Sequence, residues 1–436
     1  MTSEVPKNGP KKDNAFVWTW LPGHQEPVVA GRLQRRPEGV RFIYGRSYLE
    51  RDDALSLYLP ELPLESGLLP LPVGLHIPSS IRDAAPDAWG RRVILNRTFG
   101  LKREDLDRLE LDDITFLLES GSDRIGALDF QTSASDYKPR VSDATLTELM
   151  DAARMVEDNI PMSPELDQAL HHGSSIGGAR PKALLNDGQR KLIAKFSSTT
   201  DTYSVVKAEF IAMRLASLAG LDVARVDVVS ASGRDVLLIE RFDRVAAGNG
   251  WARKAMVSAL TIAGLDEMMA RYASYQDLAE AIRHRFRNPT KTLHELFARI
   301  SFSILVGNTD DHARNHAAFW DGHQLSLTPA YDICPQPRSG QEASQAMLII
   351  GQDRSSRVET LLAAANIFHL DEDAAIGIIA GQIETIVSQW NDVCDQAKLG
   401  EVDRNFFWKR QFLNPYAFTG LRESAQVLAA KAGIMG

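Results

Sequence analysis

The stretch Gly307–Ile333, GNTDDHARNHAAFWDGHQLSLTPAYDI, decides how this chain of 436 residues is read. Near its start stand two adjacent carboxylates, Asp310 and Asp311, and two histidines four apart, His312 and His316, flanked by Asn308 and Asn315. Three chemistries fit such a run. Histidines four apart share one face of a helix and can ligate a metal. A zinc hydrolase signature, however, places Glu beside the first His, and Ala313 stands there. A polar loop whose Asp and Asn satisfy backbone groups is the second reading. The third is phosphoryl transfer. Catalytic loops of that chemistry set a base Asp five residues before a magnesium-binding Asn, and Asp310 and Asn315 have that spacing. Alone, the spacing is weak, because it recurs by chance.

The flanking sequence strengthens the third reading. Apolar runs on either side of Asp321-Gly322 predict a hairpin. It leads to Asp332, which with Asn315 offers the oxygen ligands that magnesium prefers. Phosphoryl transfer also needs a lysine on a strand. KLIAKF supplies Lys195 near the strand's end, with Lys191 as a rival at the turn end. The lysine needs a carboxylate on the following helix. Glu209 lies beside the face built by Val206, Met213 and Ala216. Burying it unpaired would be costly; the other reading is a solvated helix residue. The glycine-rich HHGSSIGGARPK matches neither common nucleotide-loop pattern. Gly177 and Gly178 would let backbone N–H groups approach a phosphate, or would simply make a linker turn. In LLIERFDR, the backbone from Glu240 to Phe242 suits an adenine contact, with Phe242 as an apolar wall or as core.

Working outward, FVWTW, VVAGRL and VRFIYG predict a small antiparallel sheet. A proline-punctuated loop follows, and SSIRDAAPDAWGRRVILNRTFG should carry a helix. PKALLN and RKLIAKF predict a hairpin across Asp187-Gly188. VVKAEFIAMRLASLAG predicts an amphipathic helix ending at Gly220. Two strands surround Ser232-Gly233, and after Trp251 the pattern is mainly helical. The expected organisation is a disordered tail (1–15), a β-rich N-terminal subdomain with helices (16–130) and a connecting segment (131–162). An N-lobe core with the glycine-rich loop and lysine strand (163–245) and a helical C-lobe with the catalytic loop (246–436) follow.

Hydrophobic residues make up 44% of the chain, enough for a sizeable core. The net charge of −8 argues against nucleic acid as the main partner. Two cysteines, Cys334 and Cys394, indicate neither a disulfide framework nor a cysteine zinc site. The N-terminus lacks an apolar segment of the signal-peptide kind, and no apolar run reaches membrane-helix length. A cytoplasmic protein without membrane contact is expected. The basic run IRHRFRNPTK, with Arg283, Arg285, Arg287 and Lys291, reads as a solvated helix end.

With these residues in place, the chain resembles the HipA-type serine/threonine protein kinases, toxins of bacterial toxin–antitoxin pairs. SSIGGARPKALL, LIAKF, AEFIAMRLASLAGL, LLIERFDR, GNTDDHARNHAAF and LTPAYDI look like that family's blocks, in its order. GRSYLERDDALSLYLP and IRDAAPDAWGRRVIL resemble its N-terminal subdomain. The resemblance implies an α+β, two-lobed, protein-kinase-like fold with an extra N-terminal β subdomain. It implies Asp310 as catalytic base, Asn315 and Asp332 as magnesium ligands, and Lys195 as the phosphate-holding lysine. Glu240 and Phe242 would contact the nucleotide base, with Gly177, Gly178, Glu209 and His312 also at the ATP site. Ser175, with Ser174 as alternative, stands where the family carries an autophosphorylated serine whose modification silences the kinase. Implied partners are a protein substrate, characteristically an aminoacyl-tRNA synthetase, and a helix-turn-helix antitoxin. DNA would be reached only through the antitoxin, and a homodimer is possible within that complex. Three positions depart from the pattern. Asp311 replaces a frequent glycine, His316 a frequent aromatic, and Arg180-Pro181 stands for Gln-Glu. A different class of reading, a catalytically weak kinase fold serving as a binding module, predicts the loss of at least one of Lys195, Asp310, Asn315 and Asp332. None is lost.

Overall fold

A computed structural model describes residues 12–99, 111–141, 144–157, 180–198, 201–338, 340 and 342–434. The expectations for most of the N-terminal tail, for much of the connecting segment and for Ser174, Ser175, Gly177 and Gly178 lie outside the described residues. The fold is α+β. It divides by packing into a β-rich unit, Met1–Ser198 with Ser230–Val257 and Trp320–His323, and a helical unit formed by the rest.

In the β-rich unit the alternating aromatic and β-branched residues do form strands. Asn14–Thr19 pairs antiparallel with Val28–Arg36, which pairs with Gly39–Tyr44. Leu128–Gln131 adds to the free edge of the first strand. The inward residues Val17, Leu33, Phe42 and Phe130 are fully buried with Ile81, Ile114 and Leu117. Burying such side chains contributes roughly 1.5–3 kcal/mol each. The second sheet holds the lysine strand. Lys182–Asn186 and Lys191–Phe196 are antiparallel, and Lys191–Phe196 pairs in turn with Arg234–Glu240. The hairpin turn has four residues, Asp187 to Arg190, rather than the tight Asp-Gly pair. The Asp187 carboxylate accepts from the N–H groups of Gln189 and Arg190.

After Trp251 the chain is mainly helical, as expected, but strands surround Trp251 itself. Arg244–Ala247 and Gly250–Arg253 form an antiparallel hairpin, and Met256–Ser258 is a further strand. A Gly248-Asn249 turn between two short runs is the sequence signal for that hairpin.

In the helical unit, Val205–Leu218 ends as expected, with Gly220 at φ 87° just beyond it. The helix groups with this unit rather than with the lysine strand that precedes it. Lys207 Nζ donates to the Lys398 carbonyl at 3.0 Å, and Arg214 Nε to Gln396 Oε1 at 3.3 Å. The 25-residue helix Glu372–Gln396 is capped by Asp371, whose carboxylate accepts from Ala374 N–H at 2.8 Å. Pro289–Val306 starts on proline, buries Leu293, Phe297, Ile300 and Ile304, and stops at Gly307. Among the described residues no helix is long and apolar enough to cross a membrane.

Candidate functional site

The site grows from the end of the helix Pro289–Val306. Gly307 takes the left-handed conformation, φ 70°, that terminates helices. A Cβ at Gly307 would lie 2.8 Å from the Gln411 carbonyl oxygen, so the tight exit needs glycine. The chain leaves as Asn308-Thr309-Asp310. It then folds on itself, with His312 N–H donating to the Asp310 carbonyl and Asn315 N–H to the His312 carbonyl, each at 2.8 Å. The Asn315 side-chain Nδ2 also donates to the Asp310 carbonyl, at 3.2 Å. That bond joins the two members of the D-x4-N pair and leaves Asn315 Oδ1 as the atom able to face a cation. Ala317–Trp320 and Leu325–Leu327 then form the predicted hairpin, around Gly322 at φ 97°. Behind it, Tyr331 donates its hydroxyl to the Arg314 carbonyl at 2.6 Å.

Asp332 follows at φ 58°, an uncommon conformation for a residue with a Cβ. Such backbone states cost about 1–3 kcal/mol and cluster at functional sites. Asp310 is exposed, yet its carboxyl is held above the ordinary carboxylate range. Partial desolvation is the main cause. His312 opposes it, while the carboxylates of Asp332 and Asp311 add to it. The carboxylates of Asp310 and Asp332, close enough to act on each other, and the amide oxygen of Asn315, whose nitrogen is tied to the Asp310 carbonyl, form a donor set suited to a hard divalent cation. The structure thus brings Asp310, His312, Asn315 and Asp332 together within the helical unit.

The histidines do not act as a matched metal pair. His316 is buried, with Nε2 3.1 Å from Asp311 Oδ1. His312 is half-buried, and its Nδ1 has no hydrogen-bond partner among the described residues. Asp311, which stands where the resembled family frequently has glycine, is buried. Its Oδ2 accepts from the Tyr275 hydroxyl at 2.5 Å. Burial pushes the Asp311 carboxyl upward, but His316 and the hydrogen bonds it receives hold it below the ordinary range. Tyr275, 36 residues away in sequence, was invisible in the motif.

Glu209 is buried in the helix Val205–Leu218, so it is not the solvated residue that one reading offered. Lys195, Glu240 and Phe242 belong to the β-rich unit. Lys195 is half-buried and stands opposite Leu237 in the register that sets Leu192 opposite Glu240. Its rival Lys191 is engaged elsewhere, with Nζ 3.8 Å from Asp123. Around Glu240–Phe242 lies a buried charge cluster that the motif did not reveal. Arg241 and Arg244 each bond both Asp123 and Asp243, over 2.8–3.0 Å. Asp243 Oδ2 also accepts from Gly126 N–H at 2.8 Å. The cluster anchors the strand end from which the expected base contacts project. In the basic run, Arg283 pairs with Glu280 at 2.5 Å and bonds the Ile367 carbonyl, as a structural helix end would.

Comparison with known proteins bears on this geometry. A model of the HipA-like C-terminal domain matches residues 174–390, and one of the HipA N-terminal domain matches residues 24–131. The putative kinase Y4mE of Sinorhizobium fredii is 27% identical over 338 residues, which span 70% of this chain and 74% of that protein. The serine/threonine-protein kinase toxin HipA of Shewanella oneidensis is 27% identical over 183 residues, 36% of this chain and 42% of its own. The solved complex of a Shewanella oneidensis HipA with HipB and operator DNA is similar in fold. Its TM-score is 0.66 over 96% of both chains, at 18% identity.

Proposed function

The chain belongs to the HipA family of serine/threonine kinase toxins, and from that premise we propose that Asp310 is its catalytic base in phosphoryl transfer to protein hydroxyl groups. The observation that carries this reading is the loop itself, where Asn315 Nδ2 donates to the Asp310 carbonyl at 3.2 Å and Asp332 lies close enough for its charge to act on Asp310. When bound, ATP would supply the phosphoryl group and magnesium would offset the charge on its oxygens. Asn315 and Asp332 would hold the cation, and Lys195 would hold phosphate oxygens. Asp310 would orient the serine or threonine hydroxyl and accept its proton. His312 would brace the loop beside Asp310, and Glu209 would complete the lysine's setting. Backbone groups from Glu240 to Phe242 would seat the base, with Gly177 and Gly178 over the phosphates.

Regulation by phosphorylation at Ser175, or at the adjacent Ser174, belongs to the same proposal. A phosphoserine adds nearly two negative charges to a loop that would cradle ATP phosphates. A helix-turn-helix antitoxin is the proposed partner, with operator DNA reached through it and a homodimer formed inside that assembly. A translation protein of the aminoacyl-tRNA synthetase class is the proposed substrate, in the cytoplasm. The test is phosphoproteomics of cells expressing wild type against Asp310→Asn, together with labelling of the purified protein by magnesium-ATP. Phosphate on Ser175 or Ser174, absent from the variant, is expected. Tight ATP binding without transfer to itself or to any lysate protein would overturn the catalytic reading in favour of a binding module.

A further inference from the structure

Asp311 and His316 immediately follow Asp310 and Asn315, and they meet beneath the loop. Asp311 Oδ1 lies 3.1 Å from His316 Nε2, and Asp311 Oδ2 accepts from the Tyr275 hydroxyl at 2.5 Å. The Tyr275 ring stands edge-on to the His316 ring, with centroids 5.7 Å apart. All three side chains are buried, Asp311 at 4% exposure, His316 at 3% and Tyr275 at 0%. None can touch a substrate. Tyr275 is itself well anchored. It is the first residue of the helix Tyr275–Arg285, capped by Ser274, and its N–H donates to the Leu348 carbonyl at 2.9 Å. The His316 carbonyl accepts from Ala259 N–H at 2.7 Å.

We infer that Tyr275, Asp311 and His316 are positioning residues: a buried polar bridge that clamps both ends of the Asp310–Asn315 loop against a fixed helix start. An apolar filling would hold the loop without desolvating a carboxylate. The Tyr275 hydroxyl bond gives this bridge a defined direction, and the close approach of His316 to Asp311 holds its other end electrostatically. The chemistry is sensitive to such geometry, since a 1 Å misplacement of reacting groups can cost about a hundredfold in rate. The inference rests on the kinase reading and adds three residues that act through Asp310 and Asn315.

The test uses full-length protein, magnesium-ATP as probe, calorimetric ATP affinity, and the initial rate of self-labelling. Asp311→Gly removes the centre of the bridge, and His316→Phe removes one side and leaves the Asp311 carboxylate buried. Each should slow labelling by about ten- to a hundredfold, while ATP affinity changes less than about threefold. The double variant Asp311→Gly with His316→Phe removes both polar groups and keeps a ring against Tyr275. It should label faster than His316→Phe alone, the non-additivity expected of contacting residues. Tyr275→Phe deletes one oxygen and provides a milder probe of the same bridge. It should lower the rate at unchanged ATP affinity. Single variants labelling at the wild-type rate, or single-variant losses that simply multiply in the double, would overturn the inference. So would a fall in ATP affinity matching the fall in rate. A wild type that binds ATP but labels nothing would overturn the kinase reading as well, and only that outcome would do so.

Discussion

Asp310 shows how a single carboxylate is tuned by its surroundings. Desolvation, then the carboxylates of Asp332 and Asp311, favour its protonated form, and His312 opposes them. A general base works only while deprotonated. Activity should therefore fall as the pH drops through the raised Asp310 value, and the acidic limb should lie above the ordinary aspartate value of about 3.9. The check is a pH profile of kcat/KM at fixed magnesium-ATP. A profile with no acidic limb above the ordinary aspartate value would contradict the assignment. Asp310→Asn should lower the rate by about 10²–10⁴-fold, the usual contribution of a positioned base, with ATP binding retained. Asp311 shows the opposite balance at the next position. It is more deeply buried than Asp310, yet it stays ionised because His316 and Tyr275 face it.

At the scale of elements, the helix Pro289–Val306 and its stop determine where the loop begins. Gly307→Ala would put a Cβ on a left-handed residue and within 2.8 Å of the Gln411 carbonyl oxygen. The conformation alone costs about 1–2 kcal/mol, and the contact adds to it. A lowered urea midpoint is expected, together with weaker hydrogen-exchange protection at the end of this helix. Unchanged stability would mean that the chain exits the helix differently. The hairpin that follows the loop and the spacing of Asp310, Asn315 and Asp332 were legible because each is encoded within a few residues. The hairpin Arg244–Arg253 was less so. Its strands have four residues each and contain Arg244, Ala246, Ala247 and Ala252, which carry little β preference. Its arginines are held by groups far off in sequence: Arg244 by Asp123, and Arg253 by the Ser122 carbonyl at 2.9 Å. The Tyr275–Asp311 bond escaped for the same reason. Local periodicity carries no information about a partner 36 residues away.

At the largest scale, the β-rich unit is tied together by the cluster of Asp123, Asp243, Arg241 and Arg244, which joins chain segments more than a hundred residues apart. Burial pushes both aspartates upward, but the arginines outweigh it. The Asp243 carboxyl is held at about 2, and Asp123 lies well below the ordinary range. Depressed folded values give a definite sign. The stability these groups contribute is present above the unfolded value of about 3.9 and is lost as pH falls through the folded values. Asp243→Asn removes one charge and leaves two buried arginines with one carboxylate between them. Breaking such a buried pair costs about 3–5 kcal/mol, so at neutral pH the variant should be less stable by that order. The deficit should shrink as pH falls from about 4 towards about 2, where Asp243 of the wild type takes up a proton. Hydrogen exchange of the strands Leu128–Gln131 and Arg234–Glu240, compared between the two proteins across that range, reads the effect within this unit. A deficit that stays constant down to pH 2 would show that the Asp243 charge is not what the arginines hold, and that the cluster stabilises the unit through packing and neutral hydrogen bonds instead.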